Sequence, residues 1–285
     1  MLTLSPSGLF DKNKIDIDKY SSYDPTYISR YLILAGILET YKYHQGVKSL
    51  KVLEVGGSGS ILKNFVDVDL TIVDILPNTD NQQNYVQGSA LAMPLDSDNF
   101  DVVISCDIME HIPENDREMF LKESTRVTKD LLIIAAPFNL TGVRDAEISA
   151  NDYYKKMTGR DHRWLLEHIL HELPDLKKSE MILEKQGLEV DHFSNTALNN
   201  WQLVTRSGLL LSKYGDRPEF ADYLRQINAY YLEHIVQNDF SINGYRTFVV
   251  ASKKHEIDIK PEANVYDKKL DDIFTLLTNA ILSLL

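Results

Sequence analysis

The chain has 285 residues, of which 44% are hydrophobic, and a formal net charge of −12 at pH 7. A chain of this length and apolar content can bury a large core, as one elaborated domain or two small ones. Because acidic residues outnumber basic ones, the chain lacks the overall positive charge that is typical of proteins that bind nucleic acid or an anionic membrane. Because the only cysteine is Cys106, an intramolecular disulfide is excluded, which fits a reducing compartment.

The amino-terminal residues 1–16 lack the basic start and long apolar stretch of a signal peptide. No apolar run reaches the roughly 18 residues that span a bilayer. We therefore expect a cytoplasmic protein with no transmembrane segment.

Residues 24–44 are predicted to form the first long helix. Asp24 is a good N-cap, and Pro25 suits the first helical position. Apolar residues then recur at helical spacing as far as Tyr43.

The stretch VLEVGGSGS at residues 52–60 is an apolar run that ends in a glycine-rich loop. This pattern predicts a buried parallel strand followed by a tight turn. Without side chains, the glycines let a ligand lie against the main chain. Glu54 interrupts the run, and a buried carboxylate is costly without partners. We therefore expect Glu54 to accept hydrogen bonds from loop amides or from a ligand ammonium or hydroxyl.

A second strand is predicted over residues 70–73, and it ends in Asp74. In nucleoside-binding α/β folds, an acid at this point accepts hydrogen bonds from ribose hydroxyls. Two acids at two strand tips therefore predict a site for an adenosine-like ligand. The loop lacks the Gly-x-Gly-x-x-Gly spacing of dinucleotide sites, and Glu54 would lie close to their phosphates. S-adenosylmethionine has no phosphate and carries an ammonium group, so it fits better.

The remaining core elements follow from apolar runs and their breaks. Pro77 and the polar residues around it argue against a full helix between the second and third strands. The predicted elements are a third strand at 85–86, a fourth at 101–105, a helix at 115–128, a buried strand at 131–136, a strand at 187–190 and a final strand at 244–251.

Two motifs resemble those of the class I S-adenosylmethionine-dependent methyltransferases that act on small molecules. Residues 52–60 resemble the first motif of that family, V-L-D-V-G-C-G-T-G, with Glu54 for the aspartate and with Ser58 and Ser60 at two usual glycines. Residues 93–113, MPLDSDNFDVVISCDIMEHIP, resemble the family pattern L-P-F-x-D-x-S-F-D-x-V followed by Glu-His. The resemblance covers about residues 50–140.

The resemblance implies an α/β fold with a Rossmann-like, seven-stranded, mostly parallel sheet, helices on both faces, helical cap insertions and a C-terminal helix. The predicted methyltransferase domain is 1–255, with a core at 50–138 and insertions at about 139–186 and 195–243. The first helix would pack beside the first core strand, where Tyr27 and Arg30 are either ligand contacts or ordinary solvated residues. The final strand would be antiparallel.

The resemblance also implies S-adenosylmethionine as the cofactor. Glu54 and the loop would hold its methionine portion, Asp74 the ribose and Ser89 the adenine side. The residues expected to bind the cofactor are Glu54, Gly56, Gly57, Ser58, Gly59, Asp74, Ile75, Ser89, Ala90, Cys106 and Asp107.

Residues 139–186 are rich in histidine and aromatic residues and leave the sheet edge where acceptor substrates bind. His162, His168 and Glu167 are candidate general bases there, with surface or helix-packing roles as the alternative. His111 is a further catalytic candidate, although Glu110 and His111 also suit the start of a helix. No strict metal-ligand motif occurs, so we predict no metal site. A final set of residues could face the acceptor: Asn199, Asn200 and Trp201.

Residues 256–264 are predicted to be a linker, and residues 266–285 an amphipathic helix that docks on the domain or forms a homodimer. We expect methyl transfer to a small-molecule acceptor, at an oxygen such as a sugar hydroxyl. The alternatives are an inactive binding or assembly module, which Ser58, Ser60 and Ser89 would suit, and a nicotinamide oxidoreductase, which the loop spacing disfavours.

Overall fold

The computed structural model describes residues 1–11, 14–57, 60–79, 81–214, 218–260, 272 and 275–276. Ser58 and Gly59 of the predicted loop lie outside these residues, as does almost all of the predicted C-terminal helix. The homodimer expected through that helix therefore stays a prediction.

A seven-stranded sheet runs through the centre of the described part of the chain, in the order β4-β3-β2-β5-β6-β8-β7. Strand β8 is antiparallel to both of its neighbours, and the other pairs are parallel. This sheet confirms the predicted fold class. The strands are β1 (Leu2–Leu4), β2 (Lys51–Val55), β3 (Asp69–Asp74), β4 (Tyr85–Gln87), β5 (Phe100–Cys106), β6 (Thr128–Ala136), β7 (Glu189–Asn195), β8 (Arg246–Ser252) and β9 (Ile257–Ile259).

Helices cover both faces of the sheet and one of its edges. They are α1 (Ile17–Tyr20), α2 (Pro25–Gln45), α3 (Glu114–Val127), α4 (Val143–Thr158), α5 (Arg163–His171), α6 (Leu176–Glu184), α7 (Leu198–Tyr214) and α8 (Pro218–Tyr230). Short 3₁₀ turns occur at Pro6–Leu9, Leu62–Asn64, Met109–His111 and Val236–Asn238, and a π-helical turn at Tyr231–Ile235. None of the helices described here is both long and apolar enough to cross a membrane.

Helix α2 begins and ends where the sequence predicts. The Asp24 carboxylate accepts hydrogen bonds from the Thr26 amide at 2.7 Å and the Tyr27 amide at 3.3 Å, as an N-cap does. Gly46 ends the helix with φ of 66°, a left-handed conformation that suits glycine. The predicted lack of a helix between β3 and β4 is also confirmed, because residues 75–84 include no helical residue among those described.

The sheet separates two cores, and alternation along the strands decides which residues face each one. Val52, Ile72 and Ile104 pack with α2 on one face, whereas Leu53, Val55 and Val103 pack with α3 on the other. Because side chains alternate along a strand, Glu54 shares the α2 face with Val52, and Asp74 shares it with Ile72. The two acids therefore project from the same face, on adjacent strands that pair in parallel.

Helices α4, α5 and α7 form a cap beside the edge where β5, β6 and β7 end. Helix α4 follows β6 and α7 follows β7, so both leave the sheet at this edge. The cap has its own small core, which includes Val143, Leu165, Trp201 and Tyr245. Helix α6 lies elsewhere, because it packs on α3 and β7.

A second sheet pairs the first strand of the described chain with the last one. Strands β1 and β9 pair in parallel, with Leu2 opposite Ile257 and Leu4 opposite Ile259. Residues 257–259 thus form a strand where the sequence predicts a linker. A three-residue alternation is too short to give a periodic signal, so this strand depends on its distant partner.

Candidate active site

The loop after β2 contains glycines that close packing requires. Gly56 has φ of 76°, and a Cβ atom there would lie 2.1 Å from Cδ1 of Ile108. A Cβ atom at Gly57 would lie 2.6 Å from Cγ of Glu54. A side chain at either position would therefore displace the side chain of Ile108 or of Glu54, against which the loop packs.

Glu54 lies beneath this loop and is 2% exposed. The Tyr31 hydroxyl donates a hydrogen bond to its Oε1 at 2.8 Å, whereas Oε2 is buried and has no hydrogen-bond partner among the described residues. Burial raises the pKa of Glu54 to about 7, although the neighbouring Ser60 and Tyr31 side chains oppose the rise. The free oxygen gives this carboxylate capacity for one more donor.

The other predicted cofactor residues follow the ends of β3 and β4, next to that loop. Asp74 is buried at the end of β3, where it accepts a hydrogen bond from the Leu76 amide at 2.9 Å. Ile75 is 71% exposed beside it. Ser89 and Ala90 come just after β4, and the Ser89 hydroxyl accepts a hydrogen bond from the Leu91 amide at 3.2 Å. The structure thus brings these residues to neighbouring strand ends along one edge.

Asp107, at the end of β5, is enclosed by two arginines. Arg246 donates to both of its oxygens, at 2.7 and 2.6 Å, and Arg30 donates to Oδ2. Burial alone would raise the pKa of Asp107, but Arg246 and Arg30 hold it well below its usual range. Asp107 also has φ of 55°, a left-handed conformation that this ion pair helps to hold.

Cys106 precedes Asp107 and is buried. Burial and the neighbouring Asp107 raise the pKa of its thiol, so the protonated form is favoured. Such a thiol is a poor nucleophile, and its packing among apolar residues is that of a small core residue.

A cavity of about 680 Å³ lies between the start of α2, the cap helices and the beginning of β8. Its lining includes five tyrosine and tryptophan residues, Tyr23, Tyr27, Trp164, Trp201 and Tyr245. The Trp201 ring stacks on the Tyr245 ring with centroids 3.9 Å apart. Asp107 and both of its arginines also line the cavity, which therefore reaches the end of β5.

All three predicted catalytic histidines line this cavity, but only His111 and His168 contact each other. Their Nε2 atoms are 3.4 Å apart. The His168 Nδ1 lies 2.8 Å from Oε1 of Glu147, which also accepts a hydrogen bond from the Tyr245 hydroxyl at 2.9 Å. The His111 Nδ1 lies 3.3 Å from Glu167, the fourth candidate base. Burial and then the nearby His168 lower the pKa of His111.

His162 occupies a different position, at the N-cap of α5. Its amide donates a hydrogen bond to Oδ1 of Asn151 at 2.8 Å, and its ring lies edge-on to those of Tyr154 and Trp164. Burial lowers its pKa. His162 therefore forms part of the cavity wall and stands apart from the pair of His111 and His168.

Of the residues predicted to face the acceptor, some line the cavity and others do not. Trp201 lines the cavity, whereas the Asn200 amide group donates a hydrogen bond to Asp239 at 2.8 Å and so ties α7 to the segment before β8. Asn199 is exposed. Tyr27 and Arg30 both line the cavity, with the Arg30 guanidinium 4.5 Å from the centre of the Tyr27 ring.

Three residues of this site were not predicted from the sequence: Glu147, Tyr245 and Arg246. Arg246 does carry a signal, because a charged residue in a strand with buried neighbours needs a buried partner. Glu147 carries no such signal, since one acid in an amphipathic helix is usually solvated. Its contact with His168 depends on how α4 and α5 pack.

Residues 53–133 match the model of a family described as a methyltransferase domain. This stretch of the chain is therefore similar to a methyltransferase domain. The matched residues begin within β2, include the glycine loop and end within β6. No curated protein matches the chain.

Several solved structures resemble this chain at low sequence identity. A candidate methyltransferase from Bacillus halodurans is 19% identical over 76% of this chain and 99% of its own, with a TM-score of 0.42. Phosphoethanolamine N-methyltransferase 2 from Haemonchus contortus, in complex with S-adenosylhomocysteine, is 15% identical over 76% of this chain and 52% of its own, with a TM-score of 0.46. Magnesium protoporphyrin IX methyltransferase from Synechocystis is 12% identical over 80% of this chain and 84% of its own, with a TM-score of 0.44. These similarities carry no information about the acceptor of this chain.

Proposed function

We propose that this methyltransferase transfers the methyl group of S-adenosylmethionine to an oxygen atom of a small molecule bound in the 680 Å³ cavity. The observation that carries the proposal is the position of Asp107, which ends β5 at the predicted cofactor edge and also lines the cavity. A methyl group held near the end of β5 would therefore face an acceptor in the cavity.

In this proposal the cofactor lies along the ends of β2, β3 and β4. The free oxygen of Glu54 accepts a hydrogen bond from the ammonium group, and Asp74 accepts two from the ribose hydroxyls. The exposed apolar side chain of Ile75 covers the adenine, whose edge reaches Ser89 and Ala90. Asp107 already binds two arginines, so we assign it the task of fixing this edge rather than binding the ammonium.

The cavity suits an acceptor that combines a ring with hydroxyl groups. Aromatic side chains stack on the apolar faces of planar groups and sugars, whereas the histidines and buried acids offer hydrogen-bond partners for hydroxyls. A sugar hydroxyl meets both conditions.

The sulfonium of the cofactor supplies an already activated methyl group, so the protein mainly supplies alignment. Holding the acceptor oxygen in line with the methyl group contributes on the order of several kcal/mol to rate enhancement. A hydroxyl must also lose its proton, and the pair of His111 and His168, next to Glu110, lies where it assists that loss.

Calorimetry with S-adenosylhomocysteine tests the cofactor site. Asp74→Ala removes two ribose hydrogen bonds, worth about 1–3 kcal/mol together, so the Kd for S-adenosylhomocysteine is expected to rise roughly fivefold to 150-fold. Asp69→Ala, at the exposed other end of β3, is the matched control and is expected to bind normally. Unchanged binding by Asp74→Ala would remove Asp74 from the site, and no binding by the wild type would favour the inactive module.

Turnover tests the histidine pair once a screen of sugars and other hydroxyl compounds has identified an acceptor. His168→Ala is expected to lower turnover roughly 100-fold or more with the Kd for S-adenosylhomocysteine unchanged. His192→Ala, which removes an exposed histidine bound to Glu180, serves as the control. Equal turnover of His168→Ala and wild type would assign His168 a structural role only.

A further inference from the structure

We propose that Glu110, His111 and His168 bind a divalent transition-metal ion such as Zn²⁺, a site that the sequence did not predict. One ligand atom from each residue lies within 4.8 Å of the other two. Glu110 and His111 come from the 3₁₀ turn after β5, and His168 comes from α5. A carboxylate and two imidazoles are ligands that Zn²⁺ and similar ions accept.

The surroundings of the two imidazoles determine where their protons lie. The Nδ1 atom of His168 faces Glu147 at 2.8 Å, and that of His111 faces Glu167 at 3.3 Å. A carboxylate is an acceptor, so each Nδ1 carries the proton and each Nε2 keeps its lone pair. Two lone pairs then face each other across 3.4 Å. Such an arrangement is unfavourable unless a proton or a cation lies between them.

The distance between the two Nε2 atoms fits a tetrahedral ion. With Zn–N bonds of about 2.1 Å and a tetrahedral angle, two nitrogen ligands lie about 3.4 Å apart. The separation in the structure is 3.4 Å, which is longer than a typical N–H···N hydrogen bond.

Glu110 adds an independent observation. The residue is 1% exposed, and its Oε2 has no hydrogen-bond partner among the residues that the structure describes. The arginines of the cavity, Arg30 and Arg246, bond to Asp107 instead. A cation between Glu110 and the imidazoles would stabilise the orphaned oxygen.

The surrounding carboxylates match the outer shell of known metal sites. Ligating histidines usually donate their second N–H to a carboxylate, which fixes the ring and raises its basicity. Glu147 does this for His168, and the Tyr245 hydroxyl fixes Glu147 in turn. The site therefore has three protein ligands, a carboxylate beside the Nδ1 atom of each imidazole and one side open to the cavity, as catalytic rather than structural zinc sites do.

A metal at this position deepens the proposed function, on which this role rests. The ion would bind the acceptor hydroxyl and lower the pKa of that hydroxyl, whose proton would leave to bulk water. The oxygen lone pair then forms the O–C bond while the C–S bond of the sulfonium breaks, and that electron pair stays on sulfur. With both Nε2 atoms bound to the ion, the two histidines would assist this proton loss as ligands of the ion.

Metal binding can be measured without cofactor or acceptor. The full chain is stripped with a chelator and titrated with Zn²⁺ by calorimetry, with Co²⁺ absorption as a second readout of tetrahedral coordination. We expect one ion per chain. His168→Ala and Glu110→Gln should each weaken binding at least tenfold, and Glu147→Gln should weaken it about 10- to 100-fold.

Two control variants separate this site from adventitious histidine sites. His162→Ala changes a histidine of the same cavity outside the cluster, and His44→Ala breaks another close pair, whose rings lie 4.9 Å apart. Both should bind Zn²⁺ as the wild type does, and circular dichroism checks that every variant is folded. Absence of stoichiometric binding, or equal binding by folded His168→Ala, would overturn the metal site. Normal binding of S-adenosylhomocysteine by the same protein would leave the proposed function standing.

Discussion

Replacing Glu54 by Gln should change both the pH dependence of stability and the binding of cofactor. Glu54 is fully buried beneath the glycine loop, and its pKa is raised from 4.5 to about 7, mainly by burial. At 1.36 kcal/mol per pKa unit, that rise corresponds to about 3 kcal/mol. The Gln side chain has the same shape and still accepts the hydrogen bond from Tyr31 at Oε1.

The sign of the effect follows from proton binding. Between pH 4.5 and 7 the native protein keeps a proton on Glu54 that the unfolded chain has lost. The free energy of unfolding therefore falls as pH rises through this window. Gln cannot ionise, so relative to wild type the variant should be about 2–3 kcal/mol more stable at pH 8 than at pH 5.

Urea unfolding of the cofactor-free proteins at pH 5 and pH 8 measures this difference, with Glu39→Gln, on the exposed face of α2, as the control. Cofactor binding supplies a second readout. The ammonium group favours ionised Glu54, so the affinity of wild type for S-adenosylhomocysteine should increase from pH 6 to pH 8, whereas that of Glu54→Gln should be weaker and flat. The same stability difference between the two proteins at both pH values would refute the buried, proton-binding Glu54.

Three other changes test the loop, the ion pair and the cavity rim. Gly57→Ala places a Cβ atom 2.6 Å from Cγ of Glu54 and should destabilise the fold by about 1–3 kcal/mol in urea unfolding. The control Gly8→Ala makes only ordinary contacts and should be destabilised less. Equal stability of the two variants would contradict this packing. Arg246→Met breaks the buried ion pair with Asp107 and should lower the free energy of unfolding by about 3–5 kcal/mol. Arg225→Met breaks an exposed pair with Asp222 and should lower it by less than about 1 kcal/mol. A similarly small loss for Arg246→Met would show that the buried pair contributes little to stability. Trp164→Ala, at the 61% exposed rim of the cavity, should raise the acceptor KM with little change in stability, and Leu170→Ala on the same helix should not; an unchanged KM would place the acceptor elsewhere.

The core of the fold could be predicted because its signals are local. Strand β2 with its glycines, the Asp24 cap of α2 and the apolar run of β6 each lie within one short stretch of sequence. Parallel strands bring their ends to one edge, so the positions of Glu54 and Asp74 followed from two such stretches.

The cavity could be predicted only in part, because its contacts join distant residues. His111 and His168 are 57 residues apart, and Glu147 and Tyr245 are 98 apart. The histidines could be recognised as candidates from their residue type. The contact between their two Nε2 atoms could not, because it depends on how α5 packs against the turn after β5. The same limit hid the partners of Asp107 and the pairing of β1 with β9.

The most direct test of the central claim is a structure of the protein with S-adenosylhomocysteine bound. We expect the ribose hydroxyls on Asp74, the ammonium on the free oxygen of Glu54 and the sulfur atom at the wall of the cavity near Asp107. A ligand bound elsewhere, or one that leaves Glu54 and Asp74 without contact, would contradict this account.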